Sequence, residues 1–168
     1  MAIIQSAYTE LLDDEAYYWV YSLKPAWGYF DHPPVIALLI KCGYFLFHNE
    51  LGVRLVPMFF CIGSVYLIEK LVKPSDYKLF YGIVLSIAIL QIGCSMAVPD
   101  VPLLFFSLVF FHAYKAFLQS ANLKNSSWLA LSMVLLIYSK YHVFAFTVDH
   151  IIGNSLQVGF AGGFGSAF

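Results

Sequence analysis

Three apolar runs, Leu79–Val98, Val101–Leu118 and Trp128–Val148, constrain the fold of this chain more than any other feature. Each is close to the ~20 residues that a helix needs to cross a bilayer. Lipid admits only helices and closed barrels as spanning forms, because every backbone polar group must be satisfied internally. A fourth run, Leu55–Ile68, is shorter but extends if Arg54 and Glu69 snorkel from its two ends. Strand-like alternation of apolar and polar residues is nowhere visible. The residues are 61% hydrophobic and 11% charged, so the pattern predicts an all-α integral membrane protein with about four transmembrane helices. Pro33–Phe47 is also apolar, but its length of about fifteen residues, its Lys41 and its two opening prolines predict a helix at the interface.

Loop charge orients these spans. Lys70, Lys73 and Lys78 lie between the first two, and the 115–125 segment at the junction of the last two carries Lys115 and Lys124, which makes both connections cytoplasmic under the positive-inside rule. The expected organisation is an external acidic and aromatic region with interfacial helices at 1–53, a transmembrane region at 54–148 and an atypical glycine-rich tail at 149–168. The end, GNSLQVGFAGGFGSAF, reads as a flexible tail or as the product of a shifted reading frame. An external N-terminal region with no preceding hydrophobic segment also leads us to expect a missing upstream helix.

Nine Lys and Arg against ten Asp and Glu leave no basic surface for nucleic acid. Cys42, Cys61 and Cys94 sit in apolar runs without CxxC or Cys/His metal spacing, and read as small buried hydrophobes.

The charge that remains is concentrated. Asp13-Asp14-Glu15 precedes the aromatic run Ala16-Tyr17-Tyr18-Trp19 at the start of a short amphipathic helix. Adjacent carboxylates raise one another's pKa, which suits a general base; acidic residues at a helix start also serve simply as dipole partners. In Gly28-Tyr29-Phe30-Asp31-His32-Pro33-Pro34, the glycine and prolines fix a turn that presents Asp31 beside His32. That pair suits a phosphate or a metal, although it offers too few ligands to define a metal site, and a side-chain hydrogen bond closing the turn explains it equally well. Asp100 is held between Pro99 and Pro102 in the link between two spans. Lys140, in Tyr138-Ser139-Lys140-Tyr141-His142, falls roughly 12 residues, or about 18 Å, into the last span. A lysine at that depth implies a functional partner or snorkelling. His48, His112 and His150 are isolated and read as packing residues. Tyr17, Tyr18, Trp19, Trp27 and Tyr29 crowd the acidic stretch, where rings can stack on a sugar.

In order and spacing, DEAYYW, GYFDHPP, NELGVRL, PDVPLLFF and SKY resemble glycosyltransferase family 39, the protein O-mannosyltransferases and bacterial aminoarabinose transferases. The likeness to its bacterial dolichyl-phosphate-mannose-protein mannosyltransferase-like branch runs from about Leu11 to Phe146. The resemblance implies a partial GT-C fold and transfer of a sugar from a polyprenyl-phosphate donor, with inversion, on the external face of a bacterial inner membrane. It implies that Asp14 is the catalytic base and that Glu15 orients the acceptor. Asp31, His32, Asp100, Lys140 and Tyr141 would bind the donor phosphate and substrate. The implied partners are the lipid-linked sugar, membrane lipid and an acceptor protein, lipid or glycan. The cofactor stays open, with a divalent cation as the candidate. Chemically, a carboxylate on one side of the anomeric carbon and a cation beside the leaving phosphate stabilise the charges that develop in such a transfer.

The family carries a helix before its acidic pair and many spans after the SKY segment, so the resemblance implies an N-terminal portion of such an enzyme. Two other classes fit the same residues. A non-catalytic membrane remnant or assembly partner would keep the motifs by descent, and a transporter would place Asp, His and Lys in broken helices near the midplane.

Overall fold

A computed structural model describes residues 8–30, 32–87 and 93–141. Among these residues the chain is helical, without strands, and has six main helices. Helix α1, Asp13–Leu23, opens on three carboxylates that complement its dipole. The buried Pro33 and Pro34 lead into α2, Val35–Leu46. Helix α3, Glu50–Val72, starts where the Asn49 side chain accepts the Gly52 amide at 3.1 Å. It ends at Lys73, whose left-handed conformation (φ 50°) is followed by Pro74. Asp76 caps α4, Tyr77–Ser86. Helix α5, Asp100–Gln119, follows the Pro99 cap, and α6, Leu123–Ile137, is capped by Asn122.

The helices pack as α1 on α2, α2 on α3, α3 on α5 and α5 on α6. Tyr18, Ile36, Ile40, Val53 and Ala97 form the buried core where α1, α2 and α3 meet. Helices α2 and α3 approach at Gly43 and Gly52, where a Cβ on either residue would overlap a backbone carbonyl, that of Gly52 or that of Phe47. Further along, Phe60 of α3 meets Phe105 and Phe106 of α5, with ring centroids 4.6 and 5.6 Å apart.

Helices α3 and α5, with 23 and 20 residues, are long and apolar enough to cross a bilayer. Helix α3 is longer than the expected 55–68 run because Asn49 and Lys73, rather than Arg54 and Glu69, set its ends. The other two expected spans differ. The helix beginning the 79–98 run stops at Ser86, where the Ile87 amide turns back to the Val84 carbonyl and Ile87 becomes extended; residues 88–92 lie outside the described residues. Helix α6 occupies the 128–148 run only to Ile137, because the Ser139 amide reaches the Leu136 carbonyl and closes a turn. Lys140 therefore follows a helix end instead of sitting deep within a span. Residues 142–168, with the end of that run and the glycine-rich tail, lie outside the described residues.

Candidate functional site

Glu15 is fully buried on the face of α1 that also buries Tyr18 and Ser22. Its Oε1 accepts from Arg54 Nε at 2.8 Å and from the Ala97 amide at 2.9 Å. Its Oε2 accepts from Arg54 Nη2 at 2.5 Å and from the Leu12 amide at 3.1 Å. Arg54 is buried as well, and its remaining donors reach Thr9 Oγ1 (2.8 Å), the Thr9 carbonyl (3.0 Å) and the Glu10 carbonyl (2.9 Å). Burial by itself raises the Glu15 pKa; the hydrogen bonds from Arg54, Ala97 and Leu12, with the Arg54 charge, outweigh it and hold the carboxyl below its ordinary value. The expectation that Arg54 snorkels is overturned, because an internal carboxylate with matching fork geometry satisfies the guanidinium better than a reach toward the interface. The motif NELGVRL contained this residue, but only the fold reveals its partner.

Asp14, one residue away, is exposed on the first turn of α1. The two carboxylates are thus separated by burial within a single turn.

A second charge pair joins Asp100, at the start of α5, to Lys140, beyond the end of α6: Lys140 Nζ donates to Asp100 Oδ1 at 2.5 Å. Asp100 is 66% exposed and Lys140 29%. Ala97, which donates to Glu15, lies three residues before Asp100, so the clasp and this pair belong to one end of the bundle.

The His-Pro-Pro turn lies at the same end. The Tyr18 hydroxyl and His32 Nε2 are 3.3 Å apart, and the Tyr29 amide donates to the His32 carbonyl at 3.1 Å. Tyr29 stacks on Tyr21 with centroids 4.0 Å apart. Tyr141 packs over this loop so closely that a Cβ on Gly28 would come within 2.7 Å of its hydroxyl. Asp31 lies outside the described residues.

Of the expected residues, Glu15, Asp100 and Tyr141 border three separate cavities rather than one. Glu15 and Arg54 border a cavity of about 190 Å³ with Thr9, Glu10 and Ser95. Asp100 borders one of about 160 Å³ with Cys61, Cys94 and Val101. Tyr141 borders one of about 330 Å³ with Trp27, Ile137 and Tyr138. Among the described residues no three His, Cys, Asp or Glu side chains gather as metal ligands. The reading of all three cysteines as isolated hydrophobes is corrected, since Cys61 and Cys94 form a disulfide with Cα atoms 5.4 Å apart. Their separation of 33 residues hid the pairing. Cys42 is free and exposed.

Compared with protein-family models, with characterised proteins and with solved structures, the chain has no match.

Proposed function

We propose that the chain is the catalytic-loop portion of a membrane glycosyltransferase that takes a sugar from a polyprenyl phosphate on the external face of a membrane. In this reading Asp14 is the base toward the acceptor hydroxyl. Glu15 acts beside it in the acceptor region, anchored so that α1 presents Asp14 at a fixed place. Lys140, with Tyr141 and the His32 turn, receives the donor phosphate, and Asp100 holds Lys140 until the donor arrives.

The observation that carries the reading is the linkage of remote segments. Ala97 binds Glu15 across 82 residues of sequence, and three residues later Asp100 binds Lys140 across another 40. This linkage supports the reading, because it brings the Asp14 turn and Lys140 to one end of the bundle.

The magnitudes assign the two pairs different work. A buried, fully bonded pair such as Glu15–Arg54 is strongly destabilising to break, by about 3–5 kcal/mol, which suits a fixed support. An exposed pair such as Asp100–Lys140 contributes about 0–1 kcal/mol, so a phosphate can take Lys140 from Asp100 without a large penalty. Membrane residence is supported by exposure: the most apolar windows of α3 and α5 are only 39% and 28% buried, which suits helices that face lipid.

The test is donor capture. A photoreactive polyprenyl-phosphate sugar should crosslink to the purified chain in nanodiscs, and unlabelled polyprenyl phosphate should compete. Lys140→Met should lower capture at least tenfold, whereas Lys124→Met, at the opposite end of α6, should leave it unchanged. Equal capture by all three proteins would remove Lys140 from the donor site.

A further inference from the structure

We propose that the Cys61–Cys94 disulfide is a redox-controlled positioning brace, which fixes the Ala97 amide on Glu15 so that the state of two thiols sets how firmly the Glu15–Arg54 pair is held. The brace concerns the clasp itself and stands whether or not the chain transfers a sugar.

The connectivity makes a closed circuit. Arg54 and Cys61 are seven residues apart on α3, two helical turns, and so lie on one face about 10 Å apart. Both are buried. From Cys61 the disulfide crosses to Cys94. Three residues on, at most about 10 Å of chain, the Ala97 amide donates to Glu15 Oε1, and Glu15 returns to Arg54 through two hydrogen bonds. Ala97 is itself fully buried in the core.

Within this circuit Cys94 is helical and residues 95–97 lie outside any helix. The chain turns at Ser95 and Met96 before α5 begins at Asp100. Without the covalent link, that segment loses its covalent anchor to α3. The charged and titratable groups around Glu15 are Arg54 from α3, Glu10 beside the same cavity, and Asp13 and Asp14 on its own helix; the 95–97 segment adds an amide but no charge. Loss of the Ala97 bond therefore leaves Arg54 as the main group holding the carboxylate ionised.

Closure is a thiol–disulfide exchange. The two cysteine thiols give up two electrons and two protons to an oxidised disulfide donor, which leaves as two thiols. Oxidising compartments supply such donors. The external face of a membrane meets that condition, and the Lys-rich connections lie at the other end of the helices.

Alkylation of the detergent-purified chain should label one thiol, Cys42, without reductant and three after reduction. Three labelled thiols without reductant would overturn the brace. Reduction should also raise the midpoint of acid unfolding, followed by circular dichroism, by about half a pH unit or more, because a carboxylate that has lost a donor protonates at higher pH. In Glu15→Gln, reduction should move the acid midpoint by less than half as far, the remainder being the general loss of the cross-link; an equal shift there would show a disulfide acting without reference to Glu15 and would overturn the proposal. If Glu15→Gln does not fold, hydrogen exchange on the unaltered chain decides: reduction should accelerate the Ala97 amide more than amides in the middle of α5, and uniform acceleration would refute the brace.

Discussion

Asp14 and Glu15 share chemistry and a helix turn, but only one of them is available to solvent, and this difference governs what substitution should do. Glu15 has a depressed pKa in the fold. Its contribution to stability is therefore fully present above its ordinary value of 4.5, and is lost as pH falls through the lower value of the folded state. Arg54→Met strips the paired charge and should destabilise the chain by about 3–5 kcal/mol at neutral pH, measured by denaturant unfolding. Asp14→Asn should change stability by no more than about 0.5 kcal/mol. In any transfer-competent form of the protein it should lower turnover about 10²-fold or more, and wild-type turnover in that variant would remove Asp14 as the base. The sequence displayed the acidic run and its position at a helix start. It also held a clue to which member is internal, since Glu15, Tyr18 and Ser22 follow the helical repeat of the buried face. The partners remained hidden because Arg54 and Ala97 are 39 and 82 residues away, and no local rule specifies such contacts.

At the scale of the element, the apolar runs located the helices but not their ends. Caps and turns decided those. Helix α3 begins before the apolar run because Asn49 supplies an acceptor to its first turn, whereas α4 and α6 stop early at tight turns. Asn49→Ala should accordingly cost about 1 kcal/mol, read from the unfolding midpoint. The helix at 33–47 was legible as an apolar segment opened by prolines, and α2 nearly fills it. Its role in packing was not legible, because its close approach to α3 depends on Gly43 and Gly52 meeting across a connection rather than on any periodicity. Gly52→Val should displace α3 from the Phe47 carbonyl and destabilise the fold by more than about 2 kcal/mol, since neither side of that contact is a flexible side-chain tip. A thermal unfolding midpoint unchanged from wild type would show that the two helices can separate without loss.

For the whole molecule, the geometry gives direction to the proposed membrane placement. Helices α3 and α5 both begin near the Glu15–Arg54 clasp, and α6 returns to it, since Lys140 after its end pairs with Asp100 at the start of α5. Lys70, Lys73 and Lys78 are consequently at or just beyond the far end of α3, and Lys115 and Lys124 flank the turn between α5 and α6. Positive charge so distributed favours retaining that far end in the cytoplasm, as an effect of position near the helix ends and not of net charge. Acidic groups at the clasp end exert little opposing influence on orientation. A disulfide at Cys61–Cys94 requires an oxidising source, and the clasp end is the one opposite Lys70, Lys73, Lys78, Lys115 and Lys124. Two unrelated properties, loop charge and thiol chemistry, thus support the same proposed sidedness. In a Cys42→Ser background, a cysteine replacing Ala26 beside the aromatic loop should react with a membrane-impermeant maleimide in intact cells. A cysteine replacing Ser75, between Lys73 and Lys78, should react only after permeabilisation. Reversed labelling would put the acidic clasp in the cytoplasm and remove the external site from the proposal, while equal labelling of both positions in intact cells would deny that the two ends are separated by a membrane at all.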